Sequence, residues 1–127
     1  MKLRIRDNAI RLRLMRGEVE TLQTEGRVSA RTGFPGGGIF SYRVESDPAS
    51  VELEALFGNN VLTVRIPETS ALAWATSEQV SIEGDLLLDD GETLRLLVEK
   101  DFACLAPRAG EDEADMYPHP EAGEGEC

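Results

Sequence analysis

Lys2, Arg4, Arg6, Arg11 and Arg13 are the side chains of this sequence best placed by type and spacing to do chemistry. An arginine fork donates two parallel hydrogen bonds to a phosphate or carboxylate, so several forks on one surface gather an anion. Lys2-Leu3-Arg4-Ile5-Arg6 and Ala9-Ile10-Arg11-Leu12-Arg13-Leu14 alternate strictly on either side of Asp7-Asn8. Period-2 alternation belongs to a strand with one wet and one buried face. Asp-Asn tolerates the left-handed backbone of a two-residue hairpin turn. A turn there sets Arg6 opposite Ala9, Ile5 opposite Ile10, Arg4 opposite Arg11, Leu3 opposite Leu12 and Lys2 opposite Arg13. One face of the ribbon is then aliphatic and the other cationic. Like charges directly opposite one another destabilise a sheet pair, so an anionic group is expected beside that face. Arg4, Arg6, Arg11 and Arg13 are the expected anion-binding residues. The counter-charge has three candidate sources: carboxylates on neighbouring strands (Glu52, Glu54, Glu83 or Glu99), an external phosphate-like anion, or the acidic stretch 111–126 folded back.

Other chemistries have thinner support. Gly36-Gly37-Gly38 lacks the downstream Lys-Ser/Thr of a phosphate-binding loop and reads as a hairpin tip. Glu52-x-Glu54, with Glu83 and Asp85, could hold Mg²⁺ through carboxylates, yet alternating acids are ordinary on a strand's wet face. Cys104, His119 and Cys127 are metal-ligand types without metal-ligand spacing. Cys104 suits a buried small hydrophobe, and no Gly-x-Ser-x-Gly nucleophile motif occurs. No catalytic residue, metal site or cofactor is expected. The sequence favours a non-catalytic domain that binds a protein partner or a small anionic ligand through its basic hairpin. The alternative is a Mg²⁺-dependent phosphate-ester or triphosphate hydrolase, with ribbon arginines on the phosphates and Glu52, Glu54, Glu83 or Glu99 on the metal. An enzyme needs these groups to converge in a cavity, whereas a binding surface leaves them on an open sheet.

The elements that must position the arginines follow from the rest of the pattern. Residues 17–25 space their apolar side chains as a short helix that stops at Gly26. Arg27–Thr32 and Ile39–Glu45 alternate as strands around the Pro-Gly-Gly-Gly tip. Val51–Phe57 and the β-branched Val61–Ile66 form a further hairpin across Gly58-Asn59-Asn60. Pro67–Ala75 reads as a helix with Pro at its start, packed onto the sheet by Trp74. Val80–Glu83 and Leu94–Glu99 are the last strands, joined across Gly84-Asp85 and Asp89-Asp90-Gly91. No internal repeat is evident beyond successive hairpins. The expected class is α+β, in the order ββαββββαββ: about eight strands and two short helices in a mainly antiparallel, strongly curved sheet or partly open small barrel.

The chain has 127 residues, room for one domain with a core. The expected division is a folded domain over 1–107 and an acidic, Pro/Gly-containing tail over 108–127. Net charge is −11, yet residues 1–16 hold six Lys/Arg against one Asp. An acidic field argues against nucleic acid and anionic membrane as partners, while a local basic patch still attracts an anion at close range. No apolar run approaches the roughly 20 residues of a membrane helix, the start does not read as a signal peptide, and two distant cysteines make no disulfide framework. A cytoplasmic location is expected. The Leu3–Arg6 edge would allow homodimerisation.

Lys2-x-Arg4-Ile5-Arg6-x-Asn8-x-Ile10-Arg11-Leu12-Arg13-Leu14, Trp74-Ala75-Thr76 with Glu78-Gln79-Val80, Val98–Leu105 and the Tyr117-Pro118-x-Pro120 ending resemble a family of short, acidic bacterial proteins of unknown function. The resemblance runs nearly the full length, implies a stand-alone bacterial cytosolic protein, and brings no activity with it. Strands that mix acids and arginines also resemble the triphosphate-binding tunnel enzymes, closed antiparallel barrels with an N-terminal Glu-x-Glu-x-Lys. Here Glu52-x-Glu54 is not N-terminal, and Leu56 stands where that motif has lysine.

Overall fold

A computed structural model describes residues 1–102. Cys104, His119, Cys127 and the expected tail lie outside the described residues. Strands β1 (Lys2–Arg6) and β2 (Ala9–Leu14) form the opening hairpin in the expected register, Arg6 opposite Ala9 through Lys2 opposite Arg13. Asp7 takes the left-handed turn position at φ 50°. Helix α1 (Arg16–Glu25) follows, with Gly17 in its first turn and Val19 and Leu22 buried. Gly26 ends it at φ 77° while its N–H donates to Leu22 O at 3.0 Å. A Cβ there would strain the left-handed backbone, so Gly26→Ala is expected to cost about 1–2 kcal/mol. Gly17→Ala, where an added Cβ meets nothing within 4 Å, is expected to stabilise by about 0.5 kcal/mol. Urea denaturation of the two variants checks this opposition of sign.

The chain continues through β3 (Arg27–Gly33), β4 (Ile39–Asp47), β5 (Glu54–Gly58), β6 (Val61–Pro67), α2 (Glu68–Ala75), β7 (Ser81–Leu87) and β8 (Thr93–Lys100). The α+β class holds, but the strands do not share the single curved sheet or partly open barrel expected. They divide into two four-stranded sheets, one ordered β1-β2-β8-β7 and the other β3-β4-β6-β5. The hairpins are antiparallel as expected, but the central pairs β2–β8 and β4–β6 are parallel. β7 also runs on through Gly84-Asp85, expected to be a link. A Cβ added at Gly84 would lie 3.4 Å from Leu53 Cδ1, at the edge of ordinary van der Waals contact.

The two sheets are related by a repeat that the residue types conceal. Exchanging β1-β2-α1-β3-β4 with β5-β6-α2-β7-β8 converts one strand order into the other and keeps both parallel centres. One constant spacing relates the Asp7-Asn8 turn to Asn59-Asn60, Leu12 to Val64, Leu14 to Ile66 and Leu22 to Trp74. The backbone follows: Arg95 N donates to Asn8 O at 2.8 Å, and Ser41 N to Asn60 O at 2.9 Å. The inner faces meet in one core, where Leu12, Leu14, Leu96 and Val98 join Val44, Val64 and Ile66. Both helices leave from the same end of this sandwich and meet there, and Leu22 and Trp74 plug it with no exposure. Trp74 Nε1–H donates to Val80 O at 2.9 Å.

Candidate functional site

Alternation along β1 and β2 sends Leu3, Ile10, Leu12 and Leu14 toward the core and Lys2, Arg4, Arg6, Arg11 and Arg13 to the opposite face. The four expected arginines therefore share one face of the first sheet. The parallel neighbour β8 sets Glu99 beside Arg13 and Arg95 beside Ala9. Arg11 Nε and Arg13 Nε both donate to Glu99 Oε1 at 2.8 Å, and Lys2 Nζ lies 3.0 Å from Asp101 Oδ2. Carboxylates thus supply part of the expected counter-charge. Of those named in advance, only Glu99 reaches the ribbon arginines among the described ion pairs. Glu83 instead binds Arg95 Nη2 at 2.9 Å. Glu54 lies on the other sheet, 3.4 Å from Arg65 Nη1.

Arg13 and Glu99 are buried although they stand on the outer face, each 7% exposed. Arg13 Nη2 is enclosed and, among the described residues, has no hydrogen-bond partner. An unmet buried donor costs about 1–3 kcal/mol, a cost that an oxygen beside it would remove. The Arg13 side chain also borders a hollow of about 180 Å³ that it shares with Lys2, Arg4 and Arg11. A second, of about 170 Å³, is ringed by Arg4, Arg6, Arg11 and Arg95 over Leu97. Arg4 and Arg11 border both, so two small cationic hollows adjoin along the ribbon. Arg95 was missed by sequence reasoning. Its signal was the Leu94-Arg95-Leu96 alternation, which continues the pattern of β1 and β2 but needs the β2–β8 pairing to be placed.

Gly36 and Gly37 form the β3–β4 turn at φ 92° and 93°, away from these arginines in the sheet order. Among the described residues no group of three or more His, Cys, Asp and Glu side chains is placed to hold a metal ion. A larger hollow of about 620 Å³ at the helix end mixes Arg16 and Lys100 with Glu20, Glu78 and Asp101, and so presents no field of a single sign. Among the described residues no helix is long and apolar enough to cross a membrane.

These features define an α+β domain of two mixed sheets, the first of which carries the ribbon arginines on its outer face. Residues 1–121 match a family described as a family of unknown function (DUF7009), and the chain belongs to it. No curated protein and no solved structure matches the chain.

Proposed function

We propose that this protein is a binding module for a small multivalent anion, held on the outer face of the first sheet by Arg4, Arg6, Arg11 and Arg13. The observation that carries the reading is the enclosed Arg13 Nη2, without a hydrogen-bond partner among the described residues, on a side chain that also borders a cationic hollow. A phosphate oxygen there would accept from it, and Arg4 and Arg11 would span a second phosphate in the adjoining hollow. Arginine matches this geometry better than lysine because its forks meet two oxygens at once. Pyrophosphate or a triphosphate chain is therefore favoured over orthophosphate. The acidic net charge of −11 opposes long-range capture, and so confines binding to this patch. Catalysis forms no part of the proposal.

Arg4 and Arg6 are exposed on the edge strand β1, where substitution normally changes stability by less than about 0.5 kcal/mol. The double variant Arg4→Glu/Arg6→Glu is therefore expected to fold. It should bind pyrophosphate at least about tenfold more weakly by calorimetry, a change of about 1.4 kcal/mol. Wild-type affinity should fall as salt is raised. Equal affinity in the variant, or no heat with phosphate, pyrophosphate or triphosphate, would overturn the reading. Phosphate release from triphosphate in Mg²⁺ would replace it with the hydrolase.

A further inference from the structure

Among the described residues no side chain plugs the end of the sandwich opposite the helices. There the sheets part around a cavity of about 370 Å³ lined by Ile5, Ile10 and Leu94 from the first sheet and Phe40, Phe57 and Leu62 from the second, with Ala55 and Leu56 beside them. The repeat pairs these residues: Ile5 with Phe57, Ile10 with Leu62, Phe40 with Leu94. The cavity thus lies where the two halves meet, at the far end from the Leu22–Trp74 plug. Its lining side chains are all apolar. Ile5 is 58% and Phe57 69% exposed, and the Phe40 and Phe57 rings stand 6.4 Å apart at 38°.

We infer that this cavity is a second binding site, independent of the arginine face, for one small neutral apolar molecule, aromatic or branched. Its volume lies within the about 300–1,000 Å³ usual for small-molecule sites. A charged group has no partner among the lining side chains and would lose its hydration on entry. An extended peptide would likewise bring backbone groups that the lining side chains cannot satisfy. A second copy packed about a two-fold axis through the cavity would set the same concavity against this one and leave both unfilled. A compact apolar molecule gains dispersion contacts from both sheets and displaces water from Ile5 and Phe57.

The test uses N-phenyl-1-naphthylamine, a neutral dye whose emission rises in apolar surroundings, so that the arginine face plays no part. Its emission should saturate at one dye per chain, be insensitive to salt, and be competed away by a neutral alcohol such as 1-octanol but not by pyrophosphate. Ala55→Trp, which fills the cavity from within, should lower affinity at least tenfold. Phe57→Ser, at the exposed lip, should lower it at least threefold and guards against a fold defect in the first variant. Unsaturable binding, or equal affinity in both variants, would overturn the inference. So would a wild-type dimer in sedimentation that Phe57→Ser separates, since the occupant would then be a second copy. Pyrophosphate binding measured alongside fails or survives separately from any of these results.

Discussion

Glu99→Ala is expected to lower the free energy of unfolding by about 3–5 kcal/mol, the usual cost of breaking a buried ion pair by removing one partner. Two guanidiniums share Glu99 Oε1 at 2.8 Å, and Arg13 is enclosed with it. Without the carboxylate, Arg13 keeps its charge in a site from which water is largely excluded. Burial decides the size of the effect. Arg95 also holds two carboxylates, Glu83 and Asp85 at 2.9 and 3.2 Å, yet all three side chains are more than half exposed. Arg95→Ala should accordingly cost no more than about 1 kcal/mol. Glu99 also competes with the proposed ligand for Arg11 and Arg13. Glu99→Gln should therefore bind pyrophosphate more tightly than the wild type while being less stable. Added pyrophosphate should restore part of the loss, because a ligand of the native state stabilises by mass action. Chemical denaturation of both variants with and without pyrophosphate measures this; a loss below about 1 kcal/mol in Glu99→Ala would place the Arg13–Glu99 pair in solvent.

The second large effect lies at the plug. Trp74→Ala should cost about 3–5 kcal/mol, the range for truncating a buried large aromatic. Trp74 has no exposure, ties α2 to the residue that precedes β7 through its bond to Val80 O, and carries Lys100 Nζ 5.8 Å from its ring centre. Leu72→Ala on the same helix is the control. Leu72 is 53% exposed, and its loss should change stability by less than about 0.5 kcal/mol. A shift in the denaturation midpoint at constant slope would assign the loss to the native state. Equal costs for the two variants would deny Trp74 its place as the plug.

The opening hairpin was legible because two alternating runs and an Asp-Asn turn determine register locally. The face shared by Lys2, Arg4, Arg6, Arg11 and Arg13 then follows from a period of 2. Trp74 was legible as the anchor of α2 for a similar reason: a lone large aromatic on an alanine-rich helix has one use. The sheet arrangement was not legible. Alternation in Leu94–Glu99 marks a strand but names no partner, and β8 pairs in parallel with β2 across almost the whole chain. Such a pairing leaves no turn signal, since parallel strands need a long crossover rather than a tight loop. The two-sheet split, the Glu99 contacts and the place of Arg95 all follow from it. The repeat was hidden because paired positions keep burial rather than identity. Leu22 answers to Trp74, and Arg11 to Thr63. Gly84 misled because a glycine can also stand inside a strand, as it does in β7, and does not by itself mark a turn.

The most direct test of the arginine face is a nuclear magnetic resonance titration of the arginine Nε–Hε signals with pyrophosphate. Saturable shifts at Arg4, Arg6, Arg11 and Arg13, with Arg31 and Arg43 on the other sheet unmoved, are the expected result. Shifts confined to Arg31 and Arg43, or no saturable shift at any arginine, would contradict it.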